Sequence, residues 1–300
     1  MMRGVFLAST LSLALSATLF AQPSESKDPN PPTGDLGGTA AEATGGPDAF
    51  GYTFADSNEA NCSYSFVDIS GTGTFLFDGD DTSSGPVALT ESFDFYGTTL
   101  TSIVMASNGY MSTDPTDTGP DLSNDCPLPV TPSTGGGARM YPLHDDLILN
   151  TGVGGGFVEY FADCPRTNDR CPIESCTIFQ WDNVEHFGGG GPWDMEVILY
   201  HRTNDIVYQI GAGNPELGSG STTGVQNDGA TIGLTYACNT GNSIPDNTGV
   251  CIIDPNPAPP ECNPIIPSPV EVPTANNFGL VALFLGLAAA AFFVLRRRFA

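Results

Sequence analysis

The chemistry open to this chain lies in its carboxylates, its cysteines and its last segment. The densest titratable cluster is His144-Asp145-Asp146. Adjacent residues of a strand point to opposite faces, so the two carboxylates do not by themselves make an acid/base pair. A hydrogen-bonded structural Asp is the plainer reading. Hard oxygen donors also suit calcium, and Asp78-Gly79-Asp80-Asp81 gathers more of them in one turn. Asp78, Asp80, Asp145 and Asp146 are therefore the calcium candidates, against the simpler reading of acidic turns. No other cofactor is expected.

Nothing in the chain makes an enzyme of it. There is no G-x-S-x-G elbow, no H-E-x-x-H pair and no EF-hand spacing with its closing Glu. No catalytic residue is assigned. A glycosidase needs two carboxyls at a set separation, which is a spatial property, so a secreted acidic-residue hydrolase stands as an alternative. Trp181, Trp193, Tyr200 and Tyr208 would suit a sugar-stacking face, but alternation within their strands favours burial. A carbohydrate- or calcium-binding module held by a permanent single-pass anchor is the other alternative.

Eight cysteines, Cys62, Cys126, Cys164, Cys171, Cys176, Cys238, Cys251 and Cys262, make an even set. In an oxidising compartment they imply disulfides, with about 105 pairings open. Cys238 and Cys251 bracket a polar Gly/Asn turn and form the best local pair. Cys262 sits in a Pro-rich stretch that it would tie back to the domain. A zinc site is disfavoured, because no C-x-x-C occurs and the three histidines are scattered.

Charge is lopsided. The 300 residues carry a net charge of −25, and all 34 acidic residues lie between Gln22 and Glu271. Only Lys27, Arg139, Arg166, Arg170 and Arg202 oppose them there. Such a surface stays soluble, repels nucleic acid and draws divalent cations without a built site. No nucleic-acid partner is expected.

Several elements position these residues. Residues 1–21 read as a secretory signal, with Arg3 before the apolar run Val5–Phe20 and Ala21 at the cleavage point; the secretion translocon is the first partner. Residues 22–51 have little to bury and read as a disordered linker. From 52 to 253 short apolar or alternating runs are broken by Gly, Asn and Asp. They predict strands at Ser63–Asp68, Gly73–Phe77, Ala88–Tyr96, Thr101–Ala106, Tyr110–Ser112 and Ala138–Leu149. Further strands are expected at Phe157–Phe161, Thr177–Val184, Met195–His201, Ile206–Gly211 and Thr231–Ala237. With no long amphipathic helix among them, the fold class is all-β, an antiparallel sandwich. Thr203-Asn204-Asp205 reads as a hairpin turn and Asn108-Gly109 as a turn with positive φ. Residues 254–271 hold seven prolines and read as a semi-rigid stalk.

The tail, 272–300, has three parts: Val272-Pro273-Thr274 leading to Gly279, an uncharged run over 278–295, and Arg296-Arg297-Arg298. As a helix the run would extend roughly 27 Å, close to a bilayer core. The arginines would keep the carboxyl end cytoplasmic, leaving the rest outside. This tail resembles the IPTL-CTERM signals, relatives of PEP-CTERM, of Gram-negative bacteria, with Val272 for Ile, Ala275 for Leu and Phe278 where Trp is usual. The resemblance implies an exosortase-like membrane transpeptidase as partner, and passage through an inner-membrane intermediate to the cell surface or beyond.

The central domain carries a second likeness. Phe93-Asp94-Phe95-Tyr96-Gly97, Ala106-Ser107-Asn108-Gly109-Tyr110, Pro142-Leu143-His144-Asp145-Asp146-Leu147 and Phe179-Gln180-Trp181-Asp182-Asn183-Val184 stand in an order that resembles the nidogen-type extracellular module of secreted bacterial proteins. It covers roughly 52–253 and implies extracellular placement more than an activity. The expectation is an exported, non-enzymatic surface or matrix protein, serving adhesion or envelope assembly, with surface glycan or other envelope proteins as further partners.

Overall fold

The computed structural model describes residues 43–124, 126–262 and 277–298. The predicted signal, most of the linker, Val272, Pro273, Thr274 and the stalk beyond Cys262 lie outside the described residues.

In chain order the strands are β1 (Thr44–Gly45), β2 (Thr53–Asp56), β3 (Thr74–Phe77), β4 (Gly79–Asp80), β5 (Ser83–Phe95) and β6 (Thr98–Ala106). They continue as β7 (Tyr110–Ser112), β8 (Arg139–His144), β9 (Leu147–Leu149), β10 (Gly155–Phe161) and β11 (Cys176–His186). The last are β12 (Trp193–Tyr200), β13 (Ile206–Ile210), β14 (Thr222–Gln226), β15 (Gly233–Cys238) and β16 (Thr248–Ile253). They form a ten-stranded sheet, β1-β2-β16-β13-β12-β11-β10-β3 with β9 on β11 and β4 on β9, and a six-stranded sheet, β15-β14-β8-β7-β6-β5. All pairings are antiparallel, as the sequence predicts.

The sheets stack face to face. Alternate residues supply the core: Phe179, Trp181, Val197, Leu199 and Tyr208 from the larger sheet; Phe93, Phe95, Met105, Met111, Met140 and Leu143 from the smaller. Each large apolar side chain buried this way is worth roughly 1.5–3 kcal/mol. Polar tips bridge the layers, as buried Trp and Tyr require. Trp181 Nε1 donates to Ala106 O at 2.7 Å, Tyr208 Oη to Gly224 O at 2.9 Å and Tyr236 Oη to Asp56 Oδ2 at 2.9 Å.

Both outer faces are covered by straps. The predicted strand Ser63–Asp68 joins neither sheet; it lies across the larger one. Gln180, Glu196 and Gln209 stand side by side on β11, β12 and β13. They accept alternate backbone N–H groups of the strap: Ile69 N at 2.6 Å on Gln180, Val67 N at 3.1 Å on Glu196, Ser65 N at 2.8 Å on Gln209. An extended segment presents its amides on one side at every second residue, so a row of side-chain oxygens satisfies them without a strand partner. Cys62, Val67 and Ile69 pack here on Ile178, Ile198, Tyr200 and Val207 in a second apolar cluster.

The smaller sheet is covered in the same manner. Leu128 N donates to Thr235 Oγ1 at 2.7 Å and Val130 N to Gln226 Oε1 at 3.0 Å, while Leu128 packs on Ala106, Tyr110 and Tyr141. Gly233 leaves room for this crossing: a Cβ there would lie 2.9 Å from Pro129 N. Beside it Arg139, 0% exposed, pairs with Asp117 and Asp121 and stacks its guanidinium 4.3 Å from the Tyr110 ring centroid.

Disulfides pin each strap. The pairs are Cys62–Cys251, Cys126–Cys238, Cys164–Cys176 and Cys171–Cys262, and no cysteine is free. The local pair Cys238–Cys251 is therefore corrected: each of the two cysteines belongs to a different sheet and fastens a different strap. Cys262 does tie the start of the stalk to the domain, through Cys171.

The hairpin β12–β13 forms as predicted, with Asn204 at φ 55° in its turn. The predicted strand Ala138–Leu149 is two strands, β8 and β9, parted at Asp145-Asp146. At the amino end the ordered sandwich includes Thr44–Gly45, upstream of the boundary at 52, and Asp48 Oδ1 accepts N–H groups from Phe50, Gly51 and Tyr52. At the other end Asn277–Arg298 is one α-helix, α1. Its described large apolar side chains, among them Phe284, Leu285 and Phe292, are exposed, as are Arg296 and Arg297. Among the described residues no helix is long and apolar enough to cross a membrane; the side chains of 277–283, 290, 293 and 298 are not among them.

Candidate functional site

The His144-Asp145-Asp146 cluster sits where β8 turns into β9. Asn108 holds this turn from β6–β7. Its Oδ1 accepts Leu147 N at 2.9 Å, and its backbone oxygen lies 2.8 Å from His144 Nδ1. Gly109 stands at φ 67°, and a Cβ there would fall 1.9 Å from Leu143 O. Asn108-Gly109 is thus the predicted turn, and it is braced against the next one. His144 is fully buried, with Nε2 2.7 Å from Ser123 O, and belongs to the framework.

The neighbouring carboxylates part company, as adjacent residues should. Asp146 joins Asp80 and Asp81, one oxygen of each lying within 4.8 Å of the others. Asn108 Nδ2 donates to Asp81 Oδ1 at 3.1 Å. Asp78 faces elsewhere, accepting from Thr151 Oγ1 at 3.4 Å and Gly152 N at 3.3 Å. Of the four calcium candidates, then, Asp80 and Asp146 meet, while Asp78 and Asp145 stand in separate environments.

Asp145 turns to two residues that sequence reasoning does not single out, His186 and Glu216. One atom of each of the three lies within 4.8 Å of the others. The sheet brings the first two together: β9 pairs with β11 so that Leu147 faces His186, which sets Asp145 beside the imidazole. Asp145 Oδ2 is 3.2 Å from His186 Nδ1. His186 Nε2 is 3.0 Å from Asn214 Oδ1, which also accepts Glu216 N at 3.0 Å. Trp193 covers the imidazole with ring centroids 4.8 Å apart. Asp145, His186, Asn214 and Trp193 are all buried, and Glu216 is half-buried.

Charge here is finely set. Burial draws the His186 imidazole down, but the hydrogen bond and charge of Asp145, then Asn214 and Glu216, outweigh it and leave His186 raised. Burial pushes Glu216 up, His186 pulls it down, and adjacent Asp145 adds to the rise. No spacing rule in the sequence links positions 145, 186 and 216. The β9–β11 register brings Asp145 to His186, and Asn214 Oδ1, shared by His186 Nε2 and Glu216 N, ties Glu216 to them.

Of the proposed sugar-stacking aromatics only Trp193 borders this site, against His186. Trp181, Trp193, Tyr200 and Tyr208 are all buried, so they form no exposed stacking face, and their alternation had favoured this.

Four disulfides and two strapped antiparallel sheets mark an exported, all-β module. The chain belongs to the family described as NIDO related, whose model matches residues 51–253. This agrees with the nidogen-type likeness over the central domain. Among curated proteins and among solved structures, nothing matches the chain.

Proposed function

We propose that this protein is a non-enzymatic component of the cell surface or extracellular matrix, delivered by its carboxyl-terminal tail and serving adhesion or envelope assembly. The observation that carries this reading is the use of all eight cysteines, with Cys171–Cys262 fastening the domain to the stalk that leads to the tail. A domain braced in this way is built for an oxidising exterior. Membership of the NIDO-related family supports the same placement.

The tail supports the route. Its sequence runs from Val272-Pro273-Thr274 through an uncharged apolar stretch, helical in α1, to Arg296-Arg297-Arg298. On this reading the stretch 278–295 engages the inner membrane with the arginines inside, and an exosortase-like transpeptidase acts at the motif. Intact-mass measurement on protein recovered from the cell surface tests it. The expected mass lacks the tail; a surface form that retains Arg296–Arg298 would leave a lasting single-pass anchor instead.

A further inference from the structure

We infer that Asp145, His186 and Glu216 bind one divalent transition ion of the zinc type, with Asn214 holding His186 in the ligating tautomer. Asn214 sets the tautomer. Its Oδ1 accepts the Glu216 backbone N–H, which fixes the orientation of the amide. The same oxygen faces His186 Nε2, so Nε2 carries a proton and donates it. The neutral imidazole then presents the lone pair of Nδ1, and Nδ1 faces Asp145 Oδ2. A lone pair against a carboxylate is repulsive unless a cation lies between them, either a proton or a metal ion. A ligating histidine that gives its other N–H to a neighbouring oxygen is the usual arrangement around a metal.

Two further features favour the ion. Glu216 Oε2 is buried without a hydrogen-bond partner among the described residues. Asn214, 3% exposed, likewise has no partner for Nδ2, an unmet donor on the Nε2 side of the imidazole. At position 220 a glycine leaves space beside the oxygens: a Cβ there would lie 2.5 Å from Glu216 Oε2 and 3.5 Å from Asp145 Oδ2. One imidazole nitrogen and two carboxylates fit zinc and its neighbours, which take three protein ligands and a water. Calcium asks for six to eight oxygens and does not select imidazole.

The acidic surface will attract any divalent cation, so the test must separate a site from an atmosphere. Zinc chloride is titrated into the full chain in excess calcium chloride, read by calorimetry and by melting temperature. The expected result is one zinc per chain that calcium does not displace, with a raised melting temperature. Glu216→Gln and His186→Gln each weaken it at least tenfold, and Asn214→Ala weakens it about 10–100-fold. Glu216 sits half-buried on a loop, so the fold of Glu216→Gln is checked by its melting temperature in EDTA. Zinc-edge absorption on the unaltered chain decides independently of any variant: an imidazole nitrogen with oxygens at about 2.0–2.2 Å is expected. An all-oxygen shell, displacement by calcium, undiminished binding in Glu216→Gln and His186→Gln, or no binding would each overturn the proposal.

Discussion

Glu196 shows what single residues do in this structure. It is fully buried on the outer face of the larger sheet, between Gln180 and Gln209. Burial pushes its carboxyl well above the usual range; the Val67 N–H and Arg166 pull back only partly. A carboxyl raised on folding gives stability that is complete below the unfolded value, roughly 4.3, and is lost as pH climbs through the folded one. Glu196→Gln keeps an oxygen for Val67 N and removes the titration. Urea denaturation of the two proteins should therefore diverge from pH 4.5 upward, with Glu196→Gln the more stable at pH 8; parallel pH profiles would show that Glu196 does not carry this cost. Arginine is used just as sparingly. Arg139 neutralises Asp117 and Asp121, Arg166 donates to Ser63 O at 2.9 Å, and Arg170 reaches Asp205 and the Asp254 carbonyl. Three of the five basic residues opposing the acidic domain thus hold chain segments in place.

At the scale of elements, the straps explain both what the sequence revealed and what it hid. Short alternating runs announced β6, β7, β10, β11, β12 and β13, because one face of each enters the core. Ser63–Asp68 has the same alternation, yet its amides go to side chains instead of a neighbouring strand, a difference that periodicity does not register. Gln180, Glu196 and Gln209 fall at positions where alternation normally marks a solvated face; here the strap buries them. β14, Thr-Thr-Gly-Val-Gln, lacks the apolar signal of a strand, whereas β16 carries one in Val250–Ile253 that falls outside the expected strands. The crossings also define where side chains are forbidden. Gly233→Ala would press on the Pro129 backbone, and overpacking of this kind costs typically 1–3 kcal/mol. Hydrogen exchange should then show faster exchange at Leu128 and Val130 N–H than elsewhere in the smaller sheet; uniform acceleration would mean the strap is no separate unit. The candidate ion site was hidden for a related reason. Asp145 was visible as a residue, but His186 reaches it through the β9–β11 register and Glu216 through the β13–β14 loop that Asn214 holds.

For the whole molecule, covalent closure matters more than any one contact. Cys62–Cys251 joins residues 189 apart in sequence and Cys126–Cys238 residues 112 apart. Closing such long loops removes disorder from the unfolded chain, and loss of a native disulfide of this kind typically costs 2–5 kcal/mol. Cys171–Cys262 acts differently, since Cys262 lies beyond the last strand. Replacing both Cys171 and Cys262 by serine should leave the melting of the sandwich within a few degrees of the parent while opening residues 254–262 to protease. A collapse of the melting temperature would show that the bond supports the sheets themselves. The bond also decides how the molecule bears load. A pull applied beyond Cys262 does not reach the end of β16, where it could unzip that strand from β13 one hydrogen bond at a time. It passes through the sulfur bridge into the loop closed by Cys164–Cys176, and from there to β11 in the middle of the larger sheet. The domain is gripped at its centre, so tension along the stalk must shear a sheet instead of peeling its edge.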